Sequence, residues 1–401
     1  CKEKFAEKNL RMNFSEHPKE ERQVLTTIKN SIQTIPILKD LSQKAEKSKL
    51  VSKVAKKILS LSKPSDSHWN PSISQYKVHS ALYKKSISTS RYISMRDGVK
   101  IAIDIHVPKT KNQDDTFPTI IRQTRYFRSV SIRKPLSYIK ALRPLVDKLH
   151  SMRNTFLQAG YAWVDVDVRG TGASFGVNPY PWSDDEVHDG FEIIDWIISQ
   201  PWSNKKVGTL GTSYEGTTAE YLATTQHPAL KASAPRFASF DLYADIAFPG
   251  GIHLFWFSKR WGELNKALDT NKLSEFFGLK ARTLLQGVKT VDEDPEGLVL
   301  NEALPFHKQN YNIHATALKV TYRDDSGISS AFYHHTIDNL STHEKAQKII
   351  TAKTALYHYT GWYDGGYTHS AIKRFLNIKN PGSKLIIGPW EHGGFHHCGP
   401  S

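Results

Sequence analysis

Cysteine is almost missing from this chain: two in 401 residues, Cys1 and Cys398, at opposite ends. Such a pair builds no disulfide framework, so the redox compartment is left open. No apolar run reaches the roughly 20 residues needed to cross a bilayer, and neither an internal repeat nor a low-complexity tract stands out. The chain also lacks an initiating Met. A first residue of Cys reads as a processed, trimmed or partial chain, and a bacterial lipoprotein after signal cleavage would begin this way too. The bacterial cytoplasm and the cell envelope both remain open as settings.

Acidic residues are outnumbered by basic ones by fifteen, giving a pI near 9.5. That favours acidic partners or anionic surfaces through long-range attraction. Much of the excess lies in the first hundred residues, however, and says little about the remainder. Nucleic acid is not expected as a partner, because the basic segment has no interleaved aromatics and no recognisable module. With 39% hydrophobic residues, the length allows one large α/β domain with an insertion.

Residues 1 to about 80 are rich in Lys, Ser and Gln, with helical spacing at Leu38, Leu41, Ala45, Val51, Val54, Ala55, Ile58 and Leu59. Lysines load the other face and Pro64 ends the pattern. A basic amphipathic helix can rest on an anionic membrane, but docking on its own domain with a solvated lysine face is the preferred reading.

From Arg91 the texture changes to short β runs. Arg91 to Met95, a turn at Arg96-Asp97-Gly98 and Val99 to Val107 predict an entry hairpin. Pro118 to Thr124 predicts a further strand, then comes a helical region reaching Gln158, stopped by Gly160, and a buried strand from Tyr161 to Val168. The run Arg169-Gly170-Thr171-Gly172-Ala173-Ser174-Phe175-Gly176 invites a dinucleotide-loop reading, which fails. Its glycine spacing is off by one, and Pro179 and Pro181 stand where a phosphate loop must open into a helix. The next helix starts at Ser183-Asp184-Asp185-Glu186, a capping box, and is expected to bury Val187, Phe191, Ile194 and Ile198.

Lys206 to Leu210 predicts a strand that ends at Gly211-Thr212-Ser213-Tyr214-Glu215-Gly216, followed by a helix to Gln226 and a strand from Leu230 to Ala234. This alternation predicts a parallel sheet with helices on both faces. The rhythm is lost from about Arg236 to Ile350, a stretch holding Phe248, Phe255, Trp256, Phe257, Trp261, Phe276 and Phe277. It resumes with a strand from Thr354 to Tyr359, Gly361-Trp362-Tyr363-Asp364-Gly365-Gly366, a helix through Ala371 to Phe375, and a strand from Lys384 to Ile387. The last strand ends in Gly388-Pro389-Trp390-Glu391-His392. The chain thus divides into a basic helical extension (1–80), an α/β core (81–235 and 351–401) and an inserted, largely helical cap (236–350).

A serine on a sharp strand-to-helix turn has its hydroxyl pushed clear of the backbone, but it is a weak nucleophile until a neighbouring base takes its proton. A histidine can do so if a carboxylate holds its ring. Ser213, Asp364 and His392 each follow a predicted strand, in the order serine, acid, histidine found in α/β-hydrolases. Asp324 and Asp325 are weaker candidates for the acid, with no clear strand before them. The cluster His392, His396, His397 and Cys398 is confined to the chain end and lacks a second ligand group, so no metal is expected, and no cofactor is called for. The Tyr214 amide is one candidate donor to an oxyanion; Tyr126, after the strand at 118–124, is either a second donor or a packing tyrosine. Trp362, Trp390, Phe248 and Trp256 are the residues expected to line a substrate pocket.

Gly211 to Gly216, Asp167-Val168-Arg169-Gly170-Thr171-Gly172, Gln200-Pro201-Trp202-Ser203, Gly361 to Gly365 and Gly388 to His392 together resemble the CocE/NonD hydrolases, a family that includes cocaine esterase, X-prolyl dipeptidyl aminopeptidases and α-amino-acid ester hydrolases. The resemblance implies an α/β-hydrolase fold, Ser213 as nucleophile with Asp364 and His392, and Tyr126 with the Tyr214 amide as oxyanion hole. It further implies an acyl-enzyme mechanism on a small ester or short peptide. Three departures stand out. Arg125 replaces the family's proline before the tyrosine. The chain stops before the family's further core helix and jelly-roll domain, which reads as a partial or split form. Gly365 and Gly366 follow the acid where the α-amino-acid ester hydrolases carry amine-binding carboxylates, which favours ester hydrolysis. The alternatives are an X-prolyl dipeptidyl aminopeptidase of the same fold and a non-catalytic protein that binds a membrane or partner through the basic helix. Oligomeric state is not readable.

Overall fold

The computed structural model describes residues 81–394, apart from 113, 135, 139–146, 148, 327, 331 and 332. The basic extension, Cys1, His396, His397 and Cys398 lie outside the described residues.

The sheet has eight strands: β1 Ser86–Ser94, β2 Lys100–Pro108, β3 Phe117–Thr124, β4 Ala162–Asp167, β5 Ser203–Thr212, β6 Leu230–Arg236, β7 Ala355–Gly361 and β8 Lys384–Gly388. Their spatial order is β1-β2-β4-β3-β5-β6-β7-β8. The entry hairpin pairs Ser94 with Lys100 and β2 runs antiparallel to β4, while β4, β3, β5, β6, β7 and β8 are parallel to their neighbours. Every residue of β4 is buried, as a central strand covered on both faces requires. Ile103, Ile121, Val164, Ile193, Ile197 and Leu222 belong to one apolar core.

Three helices cross between these strands in the first half: α1 His150–Gln158, α2 Asp184–Ser199 and α3 Tyr214–Tyr221. Gly160, at φ 86°, ends the segment after α1. The buried face of α2 is Glu186, Asp189, Gly190, Ile193, Ile194 and Ile197, so the apolar stripe expected at Val187, Phe191, Ile194 and Ile198 is rotated by about one position. Carboxylates cause the shift: Asp189 turns in to meet Arg169 at 2.6 Å. Asp167, next to the glycine-rich run, is fully buried and accepts the Ala173 amide at 2.9 Å, which folds that run into a closed loop at the carboxyl edge of the sheet.

Between β6 and β7 the chain forms a π-helical turn, Leu242–Ala247, then α4 Phe255–Asp269, α5 Leu298–His307, shorter helical turns, and a small strand at Leu285–Val288 that pairs with Val130–Ile132. Leu268, Leu273, Val288 and Leu300 pack with Phe127 and Ala173, so this insertion sits on the loops that follow β3 and β4. Helix α6, Thr342–Ala352, crosses the expected end of the insertion at 350. Ile349 is fully buried in the main core and the helix packs on α3 and the turn after it. Helix α6 therefore packs on the core, although most of it falls before 350. The last helix, α7 Tyr367–Asn377, follows β7 and packs on it.

The serine turn joins β5 to α3. Ser213 has φ 64° and ψ −122°, a region that costs a non-glycine residue on the order of 1–3 kcal/mol. Its amide donates to the Arg236 carbonyl at 2.9 Å, and its own carbonyl accepts from Thr217 at 3.1 Å to start the helix. Two glycines make room. A Cβ at Gly211 would lie 2.1 Å from the Glu215 carbonyl oxygen, and one at Gly216 would lie 2.3 Å from the Arg236 carbonyl oxygen. The glycine at 216 thus answers a backbone on the neighbouring strand.

Beneath the turn, Tyr214 is buried and stacks on Trp182 with ring centroids 4.8 Å apart. Its phenol donates to Glu186 at 2.5 Å. Ser183 caps α2 by accepting the Glu186 amide at 3.2 Å, so one half of the expected capping box is present. The Glu186 carboxylate makes no return bond; it turns inward to Tyr214, Thr218 and Asn178.

Gly216→Ala should lower the stability of the fold by at least about 2 kcal/mol, because the carbonyl it meets is backbone and cannot step aside; denaturant unfolding measures this, and an unchanged midpoint would contradict it. A second expectation concerns pH. Burial pushes the Glu186 carboxyl up to about 7 from an ordinary 4.5, so between those values the folded protein holds a proton that the unfolded chain has released. Stability attributable to Glu186 must then fall as pH rises through that window. Glu186→Gln keeps an acceptor for Tyr214 and removes the ionisation. Between about pH 5 and pH 8 its melting temperature should fall less than that of the wild type; parallel curves would show that another group titrates.

Candidate active site

Ser213, Asp364 and His392 stand at the carboxyl ends of β5, β7 and β8, where loops from a parallel sheet converge. Asp364 is buried, and its Oδ2 meets His392 Nδ1 at 2.7 Å. Its other oxygen, Oδ1, accepts the amides of Gly366 at 3.0 Å and Tyr367 at 3.1 Å. The carboxylate is therefore held on both sides, and it fixes the imidazole with Nδ1 toward the acid and Nε2 facing away. Phe237 places its ring edge against the imidazole, 5.4 Å between centroids, and Tyr367 stacks on it at 4.9 Å and 26°.

Ser213 stands on the turn after β5, at the same edge of the sheet as this pair. Burial pushes the Tyr367 phenol well above its ordinary value. As the first residue of α3, Tyr214 has an amide with no acceptor inside the helix. Tyr126 stands opposite: its ring centroid is 6.1 Å from that of Tyr214, and its phenol oxygen accepts the indole N–H of Trp261 at 3.0 Å. An oxygen already accepting is left with its own O–H to give. Burial pushes the Tyr126 phenol up to about 12, which keeps it a neutral donor. A hydroxyl on a strained turn, an oriented imidazole and two fixed donors can together carry out acyl transfer.

Arg125, the residue where the resemblance expects proline, is buried. It pairs with Asp269 at the end of α4 at 3.2 Å and lies over the Tyr214 ring at 5.8 Å. The loop before Tyr126 is thus tied down by charge. Asp324 and Asp325 take no part beside the imidazole; Asp325 accepts the backbone amides of Thr321 and Tyr322 in a local turn.

The aromatic residues expected to line a pocket separate into two kinds. Trp256 and Trp362 are exposed, at 71% and 61%. Trp390 stacks flat on Tyr359 at 4.8 Å, bonds the Thr360 carbonyl and fills the space over Gly361 and Gly388. Phe248 is buried in a stack between Tyr243 and His253. Both rings pack face to face against other rings. Asp241, Asp338 and His343 form an acidic cluster in the cap, but the Arg323 guanidinium bridges its two carboxylates at 2.7 and 2.5 Å and supplies the positive charge.

Comparison with known proteins shows the family of the chain. Residues 97–394 match the family model described as X-Pro dipeptidyl-peptidase (S15 family). A Mycobacterium bovis protein named as a serine esterase is 43% identical over 349 residues, covering 82% of this chain and 55% of that protein. The cocaine esterase of a Rhodococcus strain is 28% identical, covering 77% of this chain and 49% of that enzyme. The chain spans about half the length of these curated relatives. Among solved structures, a CocE/NonD family hydrolase from Staphylococcus aureus superposes with a TM-score of 0.53 at 20% identity, over 77% of this chain and 47% of that one, a likeness of fold. The chain belongs to the X-Pro dipeptidyl-peptidase (S15) family, the CocE/NonD-type serine hydrolases of α/β-hydrolase fold.

Proposed function

We propose that this chain hydrolyses small carboxylic esters through an acyl-enzyme on Ser213, with His392 as base and Asp364 as its orienting acid. The observation that carries the reading is the 2.7 Å contact between His392 Nδ1 and Asp364 Oδ2 beside a serine held at φ 64° on the helix start. His392 Nε2 takes the serine proton as Oγ attacks the ester carbonyl, and returns it to the leaving alkoxide as the C–O bond breaks. The Tyr214 amide and the Tyr126 phenol bind the oxyanion. Water then repeats the sequence on the acyl-enzyme and frees the acid.

Ester is favoured over an X-Pro peptide by the state of the carboxylates around the serine turn. Recognition of a peptide's ammonium end needs a carboxylate to receive it. Glu186 accepts from Tyr214, Glu215 pairs with Arg122 at 2.7 Å, Asp269 with Arg125 at 3.2 Å and Asp245 with Lys373 at 2.8 Å. Each already has its partner.

Ser213→Ala should abolish fluorophosphonate labelling and cut hydrolysis of p-nitrophenyl acetate by at least about a thousandfold, with His392→Ala similar and the double variant scarcely worse; wild-type turnover by Ser213→Ala would refute the assignment. Faster turnover of an Ala-Pro anilide than of simple esters would instead select the dipeptidyl-peptidase reading. Tyr126→Phe should lower kcat about a hundredfold with little change in KM, the signature of a donor used mainly in the transition state. A change in KM alone would make Tyr126 a packing residue.

A further inference from the structure

One residue bonds both the turn of the proposed nucleophile and the loop of the proposed base. Arg236 ends β6, and its main-chain carbonyl accepts the Ser213 amide at 2.9 Å. Its side chain leaves in another direction. Crossing β7, the guanidinium donates from Nη2 to the carbonyl of Gly393 at 3.3 Å, one residue past His392. Nη1 turns to the Met152 sulfur on α1 at 3.8 Å, and the guanidinium lies over the Tyr359 ring of β7 at 4.7 Å. Trp390, two residues before His392, also lies against that ring, at 4.8 Å and 8° between planes. The loop is thus gripped on both sides of the histidine, and Arg236 and Tyr359 together supply the grip.

Asp364 sets the direction of the imidazole through Nδ1, but that bond does not fix the main chain that carries the ring. His392 is followed by Gly393 and Gly394, at φ 93° and 79°, the most pliable kind of backbone. The Gly394 amide bonds only within the loop, to the Glu391 carbonyl at 3.0 Å. Against this pliancy stands a charged donor from a neighbouring strand, and a bond of that kind is roughly twice as strong as a neutral one. The fit is close: a Cβ at Gly394 would lie 2.7 Å from Arg236 Nη2. We infer that Arg236 is a positioning residue, whose guanidinium fixes the main chain carrying His392 and so sets the distance from its Nε2 to the Ser213 hydroxyl. The inference rests on the triad reading above, since Arg236 acts only through the base. A proton passes between Oγ and Nε2 only at hydrogen-bond distance, and a displacement of about an ångström costs on the order of a hundredfold in rate. The carbonyl of Arg236 shapes the serine turn and its side chain holds the histidine loop, so one residue sets both ends of that distance.

Arg236→Met keeps the main-chain carbonyl at the serine turn and an unbranched chain beside Tyr359, and removes the donor to Gly393. On p-nitrophenyl acetate it should lower kcat about ten- to fiftyfold and leave KM within about twofold, the pattern of a misplaced base. Arg236→Lys retains a point charge in reach of the carbonyl without the guanidinium plane, and its kcat should fall between. The deciding measurement repeats both substitutions in a His392→Ala background, where no imidazole is left to place. There the residual rate should change by no more than about twofold. Equal losses in the two backgrounds would overturn the inference and make Arg236 a support of the fold or of the turn alone; so would an unchanged kcat in the first background. Should Arg236→Met fail to fold, Arg236→Lys runs the same cycle by itself. The two readings fail in different ways. Wild-type turnover by His392→Ala alone defeats the triad and with it the inference, whereas a crippled His392→Ala beside an additive loss from Arg236→Met defeats only the role of the arginine.

Discussion

The Arg236 carbonyl sits where a side chain at position 216 would be, and the rest of the site depends on that near-collision. It accepts the Ser213 amide and admits only glycine opposite it. With backbone contact this close on both sides of the turn, Ser213 has no relaxed alternative to its positive φ. The same turn starts α3, and from its interior Glu220 reaches Arg374 on α7 at 3.1 Å, both side chains fully buried. Breaking such a buried pair typically costs about 3–5 kcal/mol. The helix that follows Ser213 and the helix that begins with Tyr367 are therefore clamped together beneath the site. Three loops from separate strands meet because the helices behind them are bonded to one another.

Buried charge shapes the carboxyl edge of the sheet more than apolar packing does. Asp165 lies between Arg122 and Arg153, and Arg122 continues to Glu215 in the first turn of α3. Asp167 pairs with Arg128, which reaches back to Asp104. Each ion is satisfied on several sides, the condition under which buried pairs persist at all. Arg125 follows the same logic. A proline before Tyr126 would stiffen the loop by its ring; the guanidinium instead links Asp269 of the insertion to the face of Tyr214. Tyr126 is thus positioned from the insertion as well as from the sheet.

How much was legible in the sequence follows from the range of each signal. The strands, the serine turn and the order serine, acid, histidine are local patterns, and each stands within a few residues of its expected place. The partner of Asp364 was readable because three strand ends in a parallel sheet must share one edge. What escaped depends on contacts between distant segments. Glu186 looks like a capping residue, since nothing nearby says that Tyr214 will lie beneath it. Helix α6 has an amphipathic period that does not name the surface it covers, so it passed for part of the insertion. Tyr367 follows two glycines, and its place on the imidazole appears only once α7 is known to start there. Aromatics near a strand-end motif suggest a pocket, and nothing local shows that the glycines at 361 and 388 leave a hollow that Trp390 fills.

The insertion reaches the site at two places, and this bears on how substitutions in it act. After β3, Trp261 bonds Tyr126 and Asp269 holds Arg125. Beside Asp364, Asp245 of the π-helical turn grips Ser370 and Lys373, and Ile246 lies against Gly366 directly before Tyr367. Above that turn, rings of Tyr243, Phe248 and His253 stack in a column, with Arg323 over one end. The column stiffens the support of both contacts. A cap that only selected substrates would alter KM when mutated. If Tyr126 donates to the oxyanion as proposed, the side chains of the insertion that hold it must alter kcat as well, because displacing it by about an ångström weakens an interaction made only as the tetrahedral carbon forms.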